Sequence, residues 1–314
     1  MGHWIELRAF EAADVEAAAE LLAERHERHR AAEPLLAPVA DAHAQVAAAW
    51  EDEGASGSVA VVDGLVAGFL LGSVRENEWW NRHAWVGLAG HAAREPELVR
   101  DLYRLAAERW VEEGAELHVA LVPAVADLSE PWFRLTFAHM QAHGIRESGA
   151  DPGARPAGLT VRTGTIDDAR TTPELLTQIW EHHTRSPTFT GLTVPPVDEF
   201  LADAEEVLAG SGVAYFLAER DGQVLGHLLL RPEEPDLARP PGSIYLAIAA
   251  TLPDARGSGA GVALTEHALA WAREAGYQAV QTDWRVANLE ASRFWPRRGF
   301  RETFYRLARR VNIG

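Results

Sequence analysis

The segment Leu252-Pro-Asp-Ala-Arg-Gly-Ser-Gly-Ala-Gly-Val-Ala-Leu264 sets a proline, an arginine and three alternating glycines directly before an amphipathic stretch. Glycines leave backbone N–H groups bare and let the chain curl. A helix that starts there adds partial positive charge, so the segment reads as an anion cradle suited to a pyrophosphate. Downstream, Asp283 lies at the end of the strand read from Ala279 to Trp284, and Asn288 opens a further helical stretch. A dinucleotide fingerprint does not fit, because the spacing is not G-x-G-x-x-G and only about fifty residues follow, too few for a doubly wound sheet.

Arg256-Gly257-Ser258-Gly259-Ala260-Gly261 resembles the acyl-CoA pyrophosphate loop of the GNAT N-acetyltransferases, R/Q-x-x-G-x-G/A. Asn288-Leu-Glu-Ala291-Ser-Arg-Phe294-Trp295-Pro-Arg-Arg-Gly299-Phe300 resembles a second motif of that family, N-x-x-A-x-x-[FL]-Y-x-x-x-G-F. The resemblance implies acetyl-CoA as co-substrate, lying where two central parallel strands splay apart, and no metal. The backbone of Ala249, Ala250 and Thr251 would pair with the pantetheine arm as an added strand does. Arg256, Gly257, Ser258, Gly259, Ala260, Gly261 and Val262 would hold the pyrophosphate, and Asn288 would contact the cofactor further along. The implied reaction is direct attack of a primary amine on the thioester, with Asp283, which matches the position where several family members keep a basic carboxylate, as base, and with Tyr245 and His227 on strands near the same gap, or a water chain, as alternatives.

The sequence departs from the pattern at Trp295, where the family has a Tyr that can protonate the leaving thiolate. An indole N–H donates a hydrogen bond but is no acid near neutral pH. With a thiol pKa of about 8.5 the thiolate leaves tolerably without help. We expect Trp295 to pack beside the cofactor, since Pro296 follows it and alters the helix start there.

The elements that must position these groups recur in both halves. Ile5–Arg8 and Leu159–Arg162 read as first strands, followed by helices at Val15–Arg28 and Thr172–Thr184. Hairpins turn at Asp63-Gly64 and Asp221-Gly222 and lead into strands through Gly68 and Gly226. Strands at His83–Leu88 and Ser243–Ala250 precede long helices that end at Gly114 and Gly276. A strand, a helix and a last strand then close each half, the strand and helix being Leu117–Leu121 with Phe133–His143, and Ala279–Trp284 with Leu289–Arg298. The expected architecture is α/β (α+β), with two tandem GNAT-like domains, each a mixed, mostly antiparallel twisted sheet with helices on both faces. The Gly/Pro/Ala-rich stretch 148–158 reads as the linker between residues 1–149 and 158–314. Opposite the glycine loop the first half carries Arg94-Glu-Pro-Glu-Leu-Val99, which lacks every glycine and sets Glu95 and Glu97 where a pyrophosphate would lie. That half reads as a degenerate copy without a CoA loop.

Composition narrows the partners. Among 314 residues, 29 basic side chains, all Arg, face 46 acidic ones, for a net charge of −17. Such a chain repels phosphate backbones and anionic lipid, so neither nucleic acid nor membrane is an expected partner. There is no Cys, hence no thiolate nucleophile and no Cys-based metal site. His26, His29, His139 and His143 read as surface helix histidines, and Trp79, Trp80 and Trp132 as interior packing. A cytoplasmic location and a monomer or homodimer are expected. The acceptor is a small-molecule or peptide amine, shaped in this family by the loop around residues 185–191 and by the last strands. Two rival readings are a non-catalytic acyl-CoA-binding pseudoenzyme or interaction protein and a tandem acetyltransferase resembling mycothiol synthase.

Overall fold

The computed structural model describes residues 5–149, 158–190 and 194–311. Packing divides the chain into unit 1, Met1–His143 with Glu302–Gly314, and unit 2, Gly144–Arg301. No described helix is long and apolar enough to cross a membrane.

Unit 1 begins with β1 (Ile5–Ala9), α1 (Val15–Ala32) and α2 (Ala42–Glu51). The hairpin β2 (Ala55–Val62) and β3 (Leu65–Asn77) follows, then β4 (Asn81–Val86), β5 (His91–Ala93) and α3 (Leu98–Glu112). β6 (Leu117–Pro123), α4 (Ala126–Arg134) and the start of β7 (Ala138–Glu147) complete its first run. The strand order is β1-β2-β3-β4-β6-β13, with β5 on β3, and only β4 and β6 run parallel. Asp63 and Gly64 both adopt positive φ, 51° and 81°, the left-handed pair that a two-residue hairpin turn demands.

Neighbouring residues of β3 point to opposite faces. Leu70 joins Leu102, Ala106 and Trp110 of α3 in one core cluster, while Phe69 meets Phe10, which packs on Trp50 of α2. Helices therefore cover both faces. β13 (Arg301–Arg310), read from the sequence as the end of the second half, lies in unit 1. It pairs antiparallel with β6 from Phe304↔Pro123 to Arg310↔Leu117 and buries Leu307 in the same core.

Unit 2 repeats the order. β8 (Leu159–Thr163), α5 (Ile166–Thr171), α6 (Glu174–His183) and α7 (Val197–Leu208) lead to the hairpin β9 (Ala214–Arg220) and β10 (Gln223–Arg231). Then come β11 (Ser243–Thr251), α8 (Ala260–Glu274), β12 (Ala279–Arg285) and α9 (Leu289–Arg297). The order is β12-β11-β10-β9-β8, with β11 and β12 parallel and the rest antiparallel. Phe216 packs against His267 and Trp271 of α8, and its neighbour Tyr215 joins Leu175 of α6 on the other face.

The repeat extends to side chains. Arg8 grips Asp14 at 2.6 and 2.7 Å, and Arg162 grips Asp168 at 2.6 and 3.0 Å, each Asp also closing a capping box at the following turn. The paired guanidinium holds both carboxyls below their ordinary range, Asp168 at about 2.

Several expectations need correction. Residues 133–143 are not one helix: α4 ends at Arg134, Thr136 turns the chain at a φ of 63°, and β7 begins at Ala138. His139 and His143 therefore stand on a strand. His26 and His29 do lie on α1 but are buried, and Trp79 is exposed, at the β3–β4 turn. Trp132 is fully buried, as expected. Most of the linker, 150–157, falls outside the described residues, and its first part is tied to unit 2 by Ser148 N–H to Gln278 O and Gly149 N–H to Leu269 O, each 2.9 Å.

Candidate active site

The two parallel strands of unit 2 pair only from Ser243↔Ala279 to Tyr245↔Gln281. Beyond that point β11 continues to Thr251 and β12 to Arg285 without pairing to each other, so the strands splay. A bulge explains the divergence. The β10–β11 register slips between Leu229 and Leu230, leaving Ala247 without a partner and bending β11. Thr282 Oγ1 donates to Leu246 O at 3.1 Å and pins the fork. Ala249, Ala250 and Thr251 pair with Leu228, His227 and Gly226 on one edge, leaving the other edge to the gap. Gly226 is required here, because a Cβ would stand 2.5 Å from Ala250 O.

At the end of β11 the chain makes a short turn, Pro253–Ala255, and enters the glycine loop. Gly257 and Gly259 have φ of 76° and 88°, the left-handed region that L side chains avoid. Gly259 is the N-cap of α8, whose first intrahelical amide bond is Ala263 N–H to Gly259 O. Among the described residues no backbone acceptor is found for the amides of Gly257, Gly259, Gly261 or Val262. A Cβ on Gly257 would meet nothing within 4 Å, so it is the positive φ and not crowding that calls for glycine there. These are the donors and the helix dipole a pyrophosphate needs, and the loop fits that group. Ser258 is used internally: its Oγ accepts from Ala260 N–H at 3.3 Å, and its carbonyl accepts from Arg220 at 3.2 Å.

Asp283 and Tyr245 come together at the fork, with the Tyr245 hydroxyl donating to Asp283 Oδ1. The sequence offered them as alternatives, whereas the structure makes them a pair. His227 does not join them. It is buried, its Nδ1 lies 3.3 Å from the Tyr215 hydroxyl, and burial lowers its pKa to about 4.

The end of α6 adds two residues that the motif reading missed. His182 Nε2 lies 3.2 Å from Asn288 Oδ1 and 3.2 Å from Glu290 Oε2, and Arg256 Nη1 stands 3.9 Å from Glu290. His183, lowered to about 4 chiefly by burial and then by Arg285, also feels the Asp283 charge. No spacing rule points to them, because tertiary packing brings α6 to α9. Asn288 caps α9, its Oδ1 accepting from Ala291 N–H at 3.1 Å, so any further contact must come from its NH₂ group. Trp295 is buried, with its ring edge-on to Phe294 and Phe300 at 5.0 and 5.2 Å. Pro296 falls in the last turn of α9 rather than at its start.

Of the acceptor loop, residues 184–188 form a turn, Phe189 after it is exposed, and Gly191 lies outside the described residues. A cavity of about 650 Å³ in unit 2 is lined by Thr163, Ile166, Arg170, Glu205, Tyr215 and Trp271, none of which belongs to the fork. Among the described residues no group of three or more His, Asp or Glu is placed to hold a metal ion.

Residues 176–300 match the Acetyltransferase (GNAT) family. No curated protein matches the chain by sequence. Among solved structures the chain is similar to a GCN5-related N-acetyltransferase from Sphaerobacter thermophilus, with 17% identity, 99% of this chain and 96% of that one covered, and a TM-score of 0.58. It is also similar to a tandem GNAT protein from the clavulanic acid biosynthesis pathway, with 15% identity, 99% and 100% covered, and a TM-score of 0.52. Residues 176–300 thus match the GNAT acetyltransferase family, in a chain whose fold is similar to that of tandem GNAT structures.

Proposed function

We propose that the chain transfers an acetyl group from acetyl-CoA to a primary amine, and that unit 2 carries the reaction. The observation that supports this most is the fork between β11 and β12, with a glycine loop of unpaired amides at its mouth. Acetyl-CoA, when bound, supplies an acyl carbon activated by a thiol leaving group. Gly257, Gly259, Gly261 and Val262 would hold its pyrophosphate, and Ala249 to Thr251 would align its arm along the free edge of β11.

The remaining work falls to side chains at the fork. Asp283 holds the incoming amine and takes the proton it must lose, and Tyr245 fixes the carboxylate by its hydrogen bond. The new C–N bond forms as the C–S bond breaks, and solvent protonates the departing thiolate, since Trp295 cannot. Packing between Phe294 and Phe300 gives Trp295 a structural role near the cofactor instead. The acceptor is a small-molecule or peptide amine. Free-thiol release from acetyl-CoA in the presence of a panel of amines tests the reading: amine-dependent release supports it, and CoA binding without release under any amine favours a binding protein.

A further inference from the structure

Unit 1 holds a buried cation with no counter-charge among the described residues. Arg25, on α1, is 2% exposed. Its Nη1 donates to His91 O at 2.5 Å and lies 3.4 and 3.5 Å from the two ring nitrogens of His91. Its Nε and Nη2 have no hydrogen-bond partner. Those two atoms form one edge of the guanidinium, with parallel N–H bonds spaced to meet both oxygens of a carboxylate. A second donor-only group beside His91 is also unsatisfied: Trp132 Nε1 is buried without a partner, and its ring lies 5.3 Å from the His91 ring.

Among the described residues nothing nearby offsets the charge. The charged group that acts on Arg25 is Arg28, of the same sign. The carboxylates on this side are turned elsewhere, Glu24 to Arg94 at 3.6 Å and Asp127 to Arg28 at 4.0 Å. Burial lowers Arg25 to about 9, which leaves it charged at neutral pH, and lowers His29 and His91 to about 3, which leaves them neutral. His26 is lowered too, and its Nε2 donates to Ala37 O at 2.8 Å. A dehydrated cation with an empty bidentate edge is costly unless an anion meets it.

We propose that unit 1 binds a small carboxylate at Arg25, its two oxygens on Nε and Nη2 and the Trp132 indole as the adjoining donor. A monoanion cancels the one buried charge. A phosphate dianion would leave an excess negative charge in the same enclosed place and pay a larger dehydration cost, so it is the weaker fit.

The test is thermal unfolding of the full chain at constant ionic strength, with chloride replaced stepwise by acetate or by inorganic phosphate. Acetate should raise the Tm of the wild type by about 3–5 °C per tenfold increase once binding saturates. Arg25→Met, which removes the uncompensated charge, should lose that dependence and melt no lower than wild type in chloride. Arg25→Gln should lose it too and serves if the Met variant does not fold. An acetate-independent wild-type Tm would overturn the proposal, and so would an acetate response that survives in both variants. A response to phosphate without one to acetate would overturn the assigned ligand class.

Discussion

The two forks of the molecule start alike and end differently. In unit 2 the parallel pair parts after Tyr245↔Gln281, and the far half of β11 carries Ala249, Ala250 and Thr251. In unit 1 the pair parts after Val86↔Ala120, and β5 takes over along β3 with His91, Ala92 and Ala93. The hairpin registers align Gly68↔Ala93 with Gly226↔Thr251, so His91 stands where unit 2 has Ala249. His91 Nε2 donates to Leu121 O at 3.0 Å and bridges the gap that Ala249 leaves open. Leu121 in turn occupies the position of Asp283 when Leu117 is matched to Ala279. At the helix entrance, unit 1 sets Glu97, ion-paired to Arg100 and Arg134 at 3.0 Å each, where unit 2 has glycines. One backbone plan thus supports an open slot or a closed one, and side-chain size and loop charge decide which.

The largest expected effect that sharpens this contrast is on turnover. Asp283→Asn should lower amine-dependent thiol release by about 10²–10⁴ while sparing CoA affinity, with recovery at high pH, where the amine is already neutral. Leu121→Asp, the matching change in unit 1, should add no activity. Near-normal turnover of Asp283→Asn at pH 7 would move the proton to Tyr245 or water. Tyr245→Phe removes one hydrogen bond to a carboxylate, and a loss of roughly 10- to 100-fold in kcat with little change in KM for acetyl-CoA is expected. Equal losses in CoA affinity would show that Tyr245 holds the cofactor rather than Asp283. Gly259→Leu forces a side chain into a φ of 88° at the cap of α8. Strain of about 1–2 kcal/mol alone should weaken CoA binding some 5- to 30-fold, read by calorimetry.

A smaller effect concerns acid stability. Burial depresses His29 and His91 to about 3 and His118 to about 4 in unit 1, against His183 and His227 at about 4 in unit 2. Unfolded, each has a pKa near 6.5 and binds a proton that the folded chain refuses. Stability present above pH 6.5 is therefore lost as pH falls toward 4, and more steeply in unit 1. Hydrogen exchange between pH 7 and 4.5 should show unit 1 amides losing protection first; the reverse order would contradict the buried histidine assignments.

How much of this was legible follows from the kind of signal. Asp63-Gly64, Asp221-Gly222, Gly257 and Gly259 were readable because each sits at a positive φ that residue type alone betrays. The fork was legible only through its family resemblance, since the bulge at Ala247 leaves no mark in an apolar run. β7 was misread as a helix because the turn at Thr136 uses a residue that rarely adopts a φ of 63°. The placement of β13 in unit 1, the approach of His182 to Asn288 and the His91 bridge were not legible, because each joins residues far apart in sequence.

The most direct test of the central claim is the calorimetric stoichiometry of acetyl-CoA on the full chain and on Gly259→Leu. Because, among the described residues, only those of unit 2 combine an open fork with unpaired loop amides, the wild type should bind one molecule per chain, and the variant should bind far more weakly. Two equivalent sites, or one site that Gly259→Leu leaves intact, would contradict the account.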